Sequence, residues 1–368
     1  MKANKAVLVA RPDRDTIEEA EELARAAGYE PVGLVTQGFL HHAKYGVGTG
    51  KAEELAQKVK AKGADLVVFD SALRASQAYS LAKLCKVEVK DREKVILEIF
   101  AMRASTGEAK LQVQLAELEY ELPRARESVK MARQAEQPGF FGLGKYEADV
   151  YTRMMKSRVS TLKKKVEGIA KRREIFREHR RKLAFPTIAL AGYTAAGKTS
   201  LFNRLTGESK SVDAGVFTTL APTTRAVMVG DRKTLLTDTV GFISNLPAYL
   251  VESFKSTLEE ISYASVVFLL LDVSQTAEKF IRSYESSAQA LSYLMVAPSK
   301  AIIVLNKCDL APAELIAERK RELGPIDTVE VSAVTGQGIE DLLRLADRKL
   351  SEVAEEEGIE GRVPLDRA

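Results

Sequence analysis

The chain has 368 residues, which at about 150 residues per domain suggests two domains or three. Hydrophobic residues make up 45% and charged residues 29%, the balance of a globular protein with buried cores. The net charge of +4 hides an asymmetry: residues 151–182 carry thirteen Lys/Arg against three acids, while residues 1–150 are neutral and 183–368 are acidic. The longest apolar run, Val266 to Leu271, is far too short to span a bilayer. Lys2, Lys5, Arg11 and Asp13 crowd the N-terminus and speak against a secretory signal. Two cysteines, Cys85 and Cys308, rule out a disulfide framework, and with only three histidines a structural zinc site is excluded too. The expectation is a cytoplasmic protein.

The first ninety residues alternate two signals. Short β-branched runs at Ala6–Ala10, Pro31–Thr36, Asp65–Phe69 and Val87–Val89 are separated by helical stretches near Thr16–Ala27, Lys51–Lys62 and Ala72–Leu84. That alternation predicts an α/β domain with a parallel sheet over residues 1–90. The loop Tyr45–Lys51 looks superficially like a phosphate loop but lacks the spacing of a glycine-rich fingerprint.

From Asp91 to Arg133 the pattern is long and helical, with Gly107 and Pro123 as expected points of kinking or breakage. The segment Pro138–Gly144, with Phe140 and Phe141, cannot continue a helix. A second helix is predicted from about Tyr146 to Lys182, with an apolar seam at Tyr151, Met155, Val159, Leu162, Val166, Ile169 and Phe176. Together, residues 91–183 read as an antiparallel helical hairpin, its tip either a contact point or an ordinary loop. The basic block lies on the second arm. Lys163, Lys164, Lys165, Lys171, Arg172 and Arg173 are candidate contacts to RNA, since a concentrated run of cations suits a polyanion.

Pro186 opens a further domain, expected over 184–352, with strand signals at Thr187–Ala191, Arg225–Val229, Thr234–Thr237, Val266–Leu271, Ala301–Leu305 and Thr328–Val331. An acidic tail, 353–368, follows. Gly192, Tyr193, Thr194, Ala195, Ala196, Gly197, Lys198 and Thr199 have P-loop spacing between a strand and a helix, with Ser200 next in line. Backbone N–H groups there can close around phosphates, Lys198 can reach the β and γ oxygens, and Thr199 can bind Mg²⁺.

Three later motifs select GTP. Asp238 ends a strand where it can reach Mg²⁺ through water, and Gly241 can sense the γ-phosphate. In Asn306-Lys307-Cys308-Asp309, the Asp309 carboxylate can accept the guanine N1–H and 2-amino group, while Lys307 lies across the base. Ser332 and Ala333 can bring a backbone N–H to the guanine O6. Between them, Phe217, Thr218 and Thr219 belong to a switch in which Thr219 joins Mg²⁺ and the γ-phosphate only with GTP bound. Lys198, Thr219 and Gly241 are the candidate catalytic residues. Phe242 stands where many P-loop GTPases have a water-orienting glutamine, so hydrolysis is expected to be slow alone and raised by a partner, by about 10³–10⁵.

These motifs carry a specific resemblance. Gly-Tyr-Thr at the P-loop, Phe217–Arg225 in the switch and Asp238–Pro247 resemble the HflX family of translational GTPases, as do Ile99–Ala104, Lys110–Ala116 and Leu122–Arg124 in the N-terminal half. The resemblance covers essentially the whole chain. It implies a cytosolic GTPase that binds the large ribosomal subunit and its rRNA through the N-terminal domain and hairpin. It implies a role in ribosome rescue or subunit splitting under stress. A large-subunit assembly factor and a GTP-gated RNA-binding scaffold are the competing readings, and a monomer is expected. Two positions depart from the family: bacterial members have a longer, differently charged segment than Gly139–Glu147, and the family's P-loop commonly carries asparagine, linked to potassium binding in related GTPases, at the position of Ala195.

Overall fold

The computed structural model describes residues 3–135, 143–182, 185–208, 216–217, 219–220, 222–243, 247–324 and 326–356. It divides into two compact units, Met1–Glu167 and Gly168–Ala368. Among the described residues no helix is long and apolar enough to cross a membrane.

The first unit runs β1 (Asn4–Ala10), α1 (Arg14–Ala26), β2 (Tyr29–Thr36), α2 (Thr49–Lys62), β3 (Leu66–Phe69), α3 (Ala75–Cys85), β4 (Glu88–Asp91), α4 (Arg92–Arg103) and α5 (Gly107–Ala135). The four strands form a parallel sheet in the order β2-β1-β3-β4. Val7, Val9, Val67 and Phe69 meet Leu55, Val59 and Leu81 in its core. Asp13 caps α1 by accepting from the Thr16 amide (2.9 Å), and Asp91 caps α4 by accepting from Lys94 (2.9 Å), so one orphan donor at the start of each of these two helices is satisfied. The loop Tyr45–Lys51 is a packed turn into α2: Gly46 takes a φ of +73°, and an added methyl would lie 2.8 Å from Phe69 and Leu73.

α4 ends before Gly107 as the sequence suggests, but α5 runs on through Pro123 instead of breaking there. The physical reason is tertiary. Tyr120 donates to Asp91 (2.9 Å), Arg124 pairs with the same carboxylate, and Glu127 accepts from the amides of Ala75 and Ser76 (3.0 and 3.2 Å) at the start of α3. These contacts on both sides of Pro123 offset the hydrogen bond that the proline removes.

α6 (Leu143–Lys182) follows, and the tip phenylalanines Phe140 and Phe141 lie outside the described residues. Along its seam Met155 is buried and Val159, Leu162, Val166 and Ile169 are half-buried, whereas Tyr151 is exposed. The Lys163 ammonium lies 2.7 Å from the Glu119 carboxylate of α5, while Lys164, Lys165, Lys171 and Arg172 are exposed. The side chain of Arg173 lies outside the described residues.

The second unit contains β5 (Thr187–Gly192), α7 (Lys198–Thr206), β6 (Thr223–Val229), β7 (Arg232–Asp238), α8 (Ala248–Ser253), α9 (Lys255–Ser262), β8 (Val266–Asp272), α10 (Ala277–Tyr293), β9 (Ala301–Asn306), α11 (Ala313–Leu323), β10 (Thr328–Val331) and α12 (Ile339–Glu356). Its sheet has the order β10-β9-β8-β5-β7-β6, parallel except for β6, which pairs antiparallel with β7. β8 is buried along its whole length, as its unbroken apolar run requires of a central strand. Because α12 continues through Glu356, residues 353–356 of the expected acidic tail are helical.

A buried charge cluster crosses the first unit, where Arg92 pairs with both Asp70 and Glu19. Burial pushes the Asp70 carboxyl up to about 6, a shift that Arg92 only partly offsets. The folded state therefore holds the Asp70 proton at pH values where the unfolded chain has released it. The stability it adds is complete below about pH 4 and is lost as the pH rises through 6. Urea midpoints measured from pH 4 to 7 should show this loss in the wild-type chain, and a smaller one in Asp70→Asn.

Candidate nucleotide site

The site is built where β5 turns into α7. Ala195 and Gly197 take φ values of +61° and +91°, which bend the chain tightly before α7. Ala195 itself is exposed and offers no side-chain oxygen. The loop is braced from the next strand, because Thr194 donates to the Phe242 carbonyl (2.8 Å) and Phe242 donates to that of Gly192 (3.0 Å). Gly192 admits no side chain, since a methyl would come within 2.4 Å of the Leu270 carbonyl. Ser200 follows, half-buried in the first turn of α7.

Lys198 points back into the loop and donates to the carbonyls of Gly192 (3.0 Å) and Tyr193 (2.8 Å). Complete burial pulls its ammonium down to about 8, with the Asp238 carboxylate acting in the opposite direction. A lysine so poorly solvated gains strongly from any anion brought against it. Gly241 sits directly beside it, and a methyl there would lie 3.0 Å from Nζ and 3.1 Å from Thr194 Cγ2.

Asp238 ends β7, fully buried. Its Oδ2 accepts from Thr199 (3.1 Å) and Thr219 (2.8 Å), whose hydroxyls are 3.1 Å apart, and its Oδ1 has no hydrogen-bond partner among the described residues. Two hydroxyls and a carboxylate with an unused oxygen are a donor set for a hard divalent cation, so the residues fit Mg²⁺. Thr219 is held in place by its neighbours: Val216, Phe217 and Leu220 are buried, and Phe217 takes a φ of +57°. Thr218 lies outside the described residues.

Asn306 ties three loops together. Its amide donates to the Ala196 carbonyl (2.8 Å) and its oxygen accepts from the Ala333 amide (3.1 Å), which commits that N–H to bracing the loop after β10. A methyl on Gly197 would fall 2.2 Å from the same side chain. Asp309 is exposed, and Lys307 donates to Asp272 (2.6 Å). Ser332 is buried and accepts from Thr335 (3.0 Å), while Arg204 donates to the carbonyls of Ala333 (3.0 Å) and Val334.

Sequence reasoning missed Asp272 and Arg204. Asp272 carried a signal, since it ends an apolar strand just as Asp238 does, and its Oδ1 accepts from both the amide and the hydroxyl of Ser274. Arg204 carried none, because its partners are backbone carbonyls far along the chain.

Fold and site together define a P-loop GTPase with an additional α/β unit before it. Three family models match in succession: GTP-binding GTPase N-terminal over 14–101, GTP-binding GTPase Middle Region over 103–180, and 50S ribosome-binding GTPase over 187–307. The GTPase HflX of Thermococcus kodakarensis is 41% identical over 357 residues, covering 95% of this chain and 80% of that protein. The GTPase HflX of Escherichia coli is 38% identical over 348 residues, covering 93% and 81%. Among solved structures, the complex of SsGBP with GDP aligns at 27% identity and a TM-score of 0.52, covering 97% of this chain and all of that one. The chain belongs to the HflX family of GTPases, and its activity is the hydrolysis of GTP.

Asn306→Ala would leave the Ala196 carbonyl and the Ala333 amide without their buried partner. The expected cost is about 2–3 kcal/mol of stability in the second unit, together with GTP binding weakened at least tenfold. Thermal unfolding and titration with a fluorescent GTP analogue check both.

Proposed function

We propose that this GTPase is a molecular switch for the large ribosomal subunit, bound through residues 1–90 and the basic arm of 91–183, and that it acts in ribosome rescue or subunit splitting. The observation that carries the switch is Thr219. It lies on the connection between α7 and β6, yet its hydroxyl meets Thr199 and Asp238 at the metal-type donor set. A γ-phosphate offers such a residue a further partner, and hydrolysis removes it.

In this reading unpaired amides of the loop before α7 enclose the phosphates, and Lys198 exchanges its two carbonyl partners for phosphate oxygens. Thr199 and Thr219 would hold Mg²⁺, with Asp238 reaching it through water. The ion, when bound, neutralises charge on the β- and γ-phosphates. Gly241 brings its amide to the γ-phosphate, at a position where any side chain would press on Lys198. Asp309 reads the guanine edge, and Asp272 tethers Lys307 for the base face. Phe242 is buried and apolar, so the group that orders water or stabilises charge comes from the partner. The cytoplasm is the corresponding compartment, and a monomer suffices for these steps.

Support for the ribosomal partner comes from the description of the matching family model and from the exposed cations of α6. Replacing Lys164, Lys165 and Lys171 by glutamine should weaken subunit binding and flatten its dependence on salt by up to about 0.9 per lost phosphate contact. GTP affinity should not change. Sedimentation with purified subunits at several salt concentrations measures this, and an unaltered slope contradicts the arm's role. Binding to assembled ribosomes, compared with immature large subunits, separates rescue or splitting from assembly.

Asp309→Asn should weaken GTP and admit xanthosine triphosphate, because the amide then donates to an oxygen where the carboxylate had accepted from an amine. Competition binding with the two nucleotides is the check.

A further inference from the structure

The first unit carries an exposed ring cluster on the connection from β2 to α2, at the carboxyl edge of its parallel sheet. Phe39 is 58% exposed, with the rings of His41 and His42 standing edge-on to it at 5.6 and 5.3 Å. Core packing does not account for these rings, since Leu40 and Val47 of the same connection are the buried anchors.

The backbone beneath the rings is fixed. Gln37 donates to the Phe39 carbonyl (2.8 Å) and accepts from the Gly48 amide (3.0 Å), and the buried Gln77 donates to the His42 carbonyl (2.7 Å). His42 and Gly46 exchange backbone hydrogen bonds of 3.0 and 2.9 Å. Rings presented on such a frame lose little conformational freedom on binding.

Cations border the cluster. Lys44 is exposed and lies 4.9 Å over the Tyr45 ring. Arg11 is exposed and follows Ala10, whose carbonyl accepts from the Gln37 amide (3.1 Å). His41, His42 and Lys44 beside Phe39 are polar and exposed. Flat rings bordered by cations suit unpaired bases and their phosphates.

We propose that the Phe39–Lys44 loop is a stacking platform for unpaired bases of single-stranded RNA, with Lys44 and Arg11 meeting the flanking phosphates. The proposal rests on the ribosomal reading for its choice of RNA and deepens it by naming the contact.

The chain contains no tryptophan, so Phe39→Trp in the full-length protein introduces a single emitter at the platform. Its emission should be quenched by a short oligouridylate and by purified large subunits, and left unchanged by an RNA duplex of equal length. Phe39→Ala should weaken oligouridylate binding roughly tenfold while leaving GTP affinity as it is. The proposal is overturned if oligouridylate does not bind the wild-type chain, if it binds without quenching, or if subunits shift the emission to the blue without quenching, which reports a protein contact. Failure of subunits to bind the wild-type chain would instead remove the ribosomal reading, and the oligouridylate arm would still judge the platform.

Discussion

A buried carboxylate organises the nucleotide site. Asp238 ends β7 with no exposure to water, and a charge placed there is costly unless other groups compensate it. Two threonines from different parts of the chain supply hydrogen bonds to one oxygen. The other oxygen has none among the described residues. That side chain lies next to a lysine that burial has made easier to deprotonate. In the proposed switch, both groups would gain when Mg²⁺ and phosphates arrive together.

The same logic extends outward along the carboxyl edge of the sheet. Asn306 at the end of β9 joins the phosphate loop to the loop after β10, and Asp272 at the end of β8 holds Lys307. Parallel strands of a shared sheet deliver these side chains to one edge, so sequence-distant motifs meet without long loops. Asp309, by contrast, lies exposed on a short helical turn.

Much of this was legible in the residues. Strand and helix alternation predicts the parallel sheet of the first unit because each apolar run is too short for a helix and is bounded by turn residues, and the P-loop spacing falls where β5 turns into α7. The rest depends on contacts that spacing does not encode. Pro123 reads as a point of kinking or breakage, and the helix does not break there because Asp91 and the α3 amides hold α5 on both sides of it. Tyr151 continues the seam pattern and yet faces solvent, and Lys163 reads as a free cation although Glu119 faces it. Asn306 reads as a nucleotide ligand, while its hydrogen bonds make it the brace between loops.

In the proposed switch the unused Asp238 oxygen would belong to the surroundings of Mg²⁺. The direct measurement is the Mg²⁺ dependence of GTP hydrolysis by the wild-type chain and by Asp238→Asn, with nucleotide affinity measured in parallel in EDTA. The account predicts a Mg²⁺ requirement raised by at least about tenfold in the variant, with metal-free nucleotide affinity little changed. An unmoved Mg²⁺ dependence would contradict it.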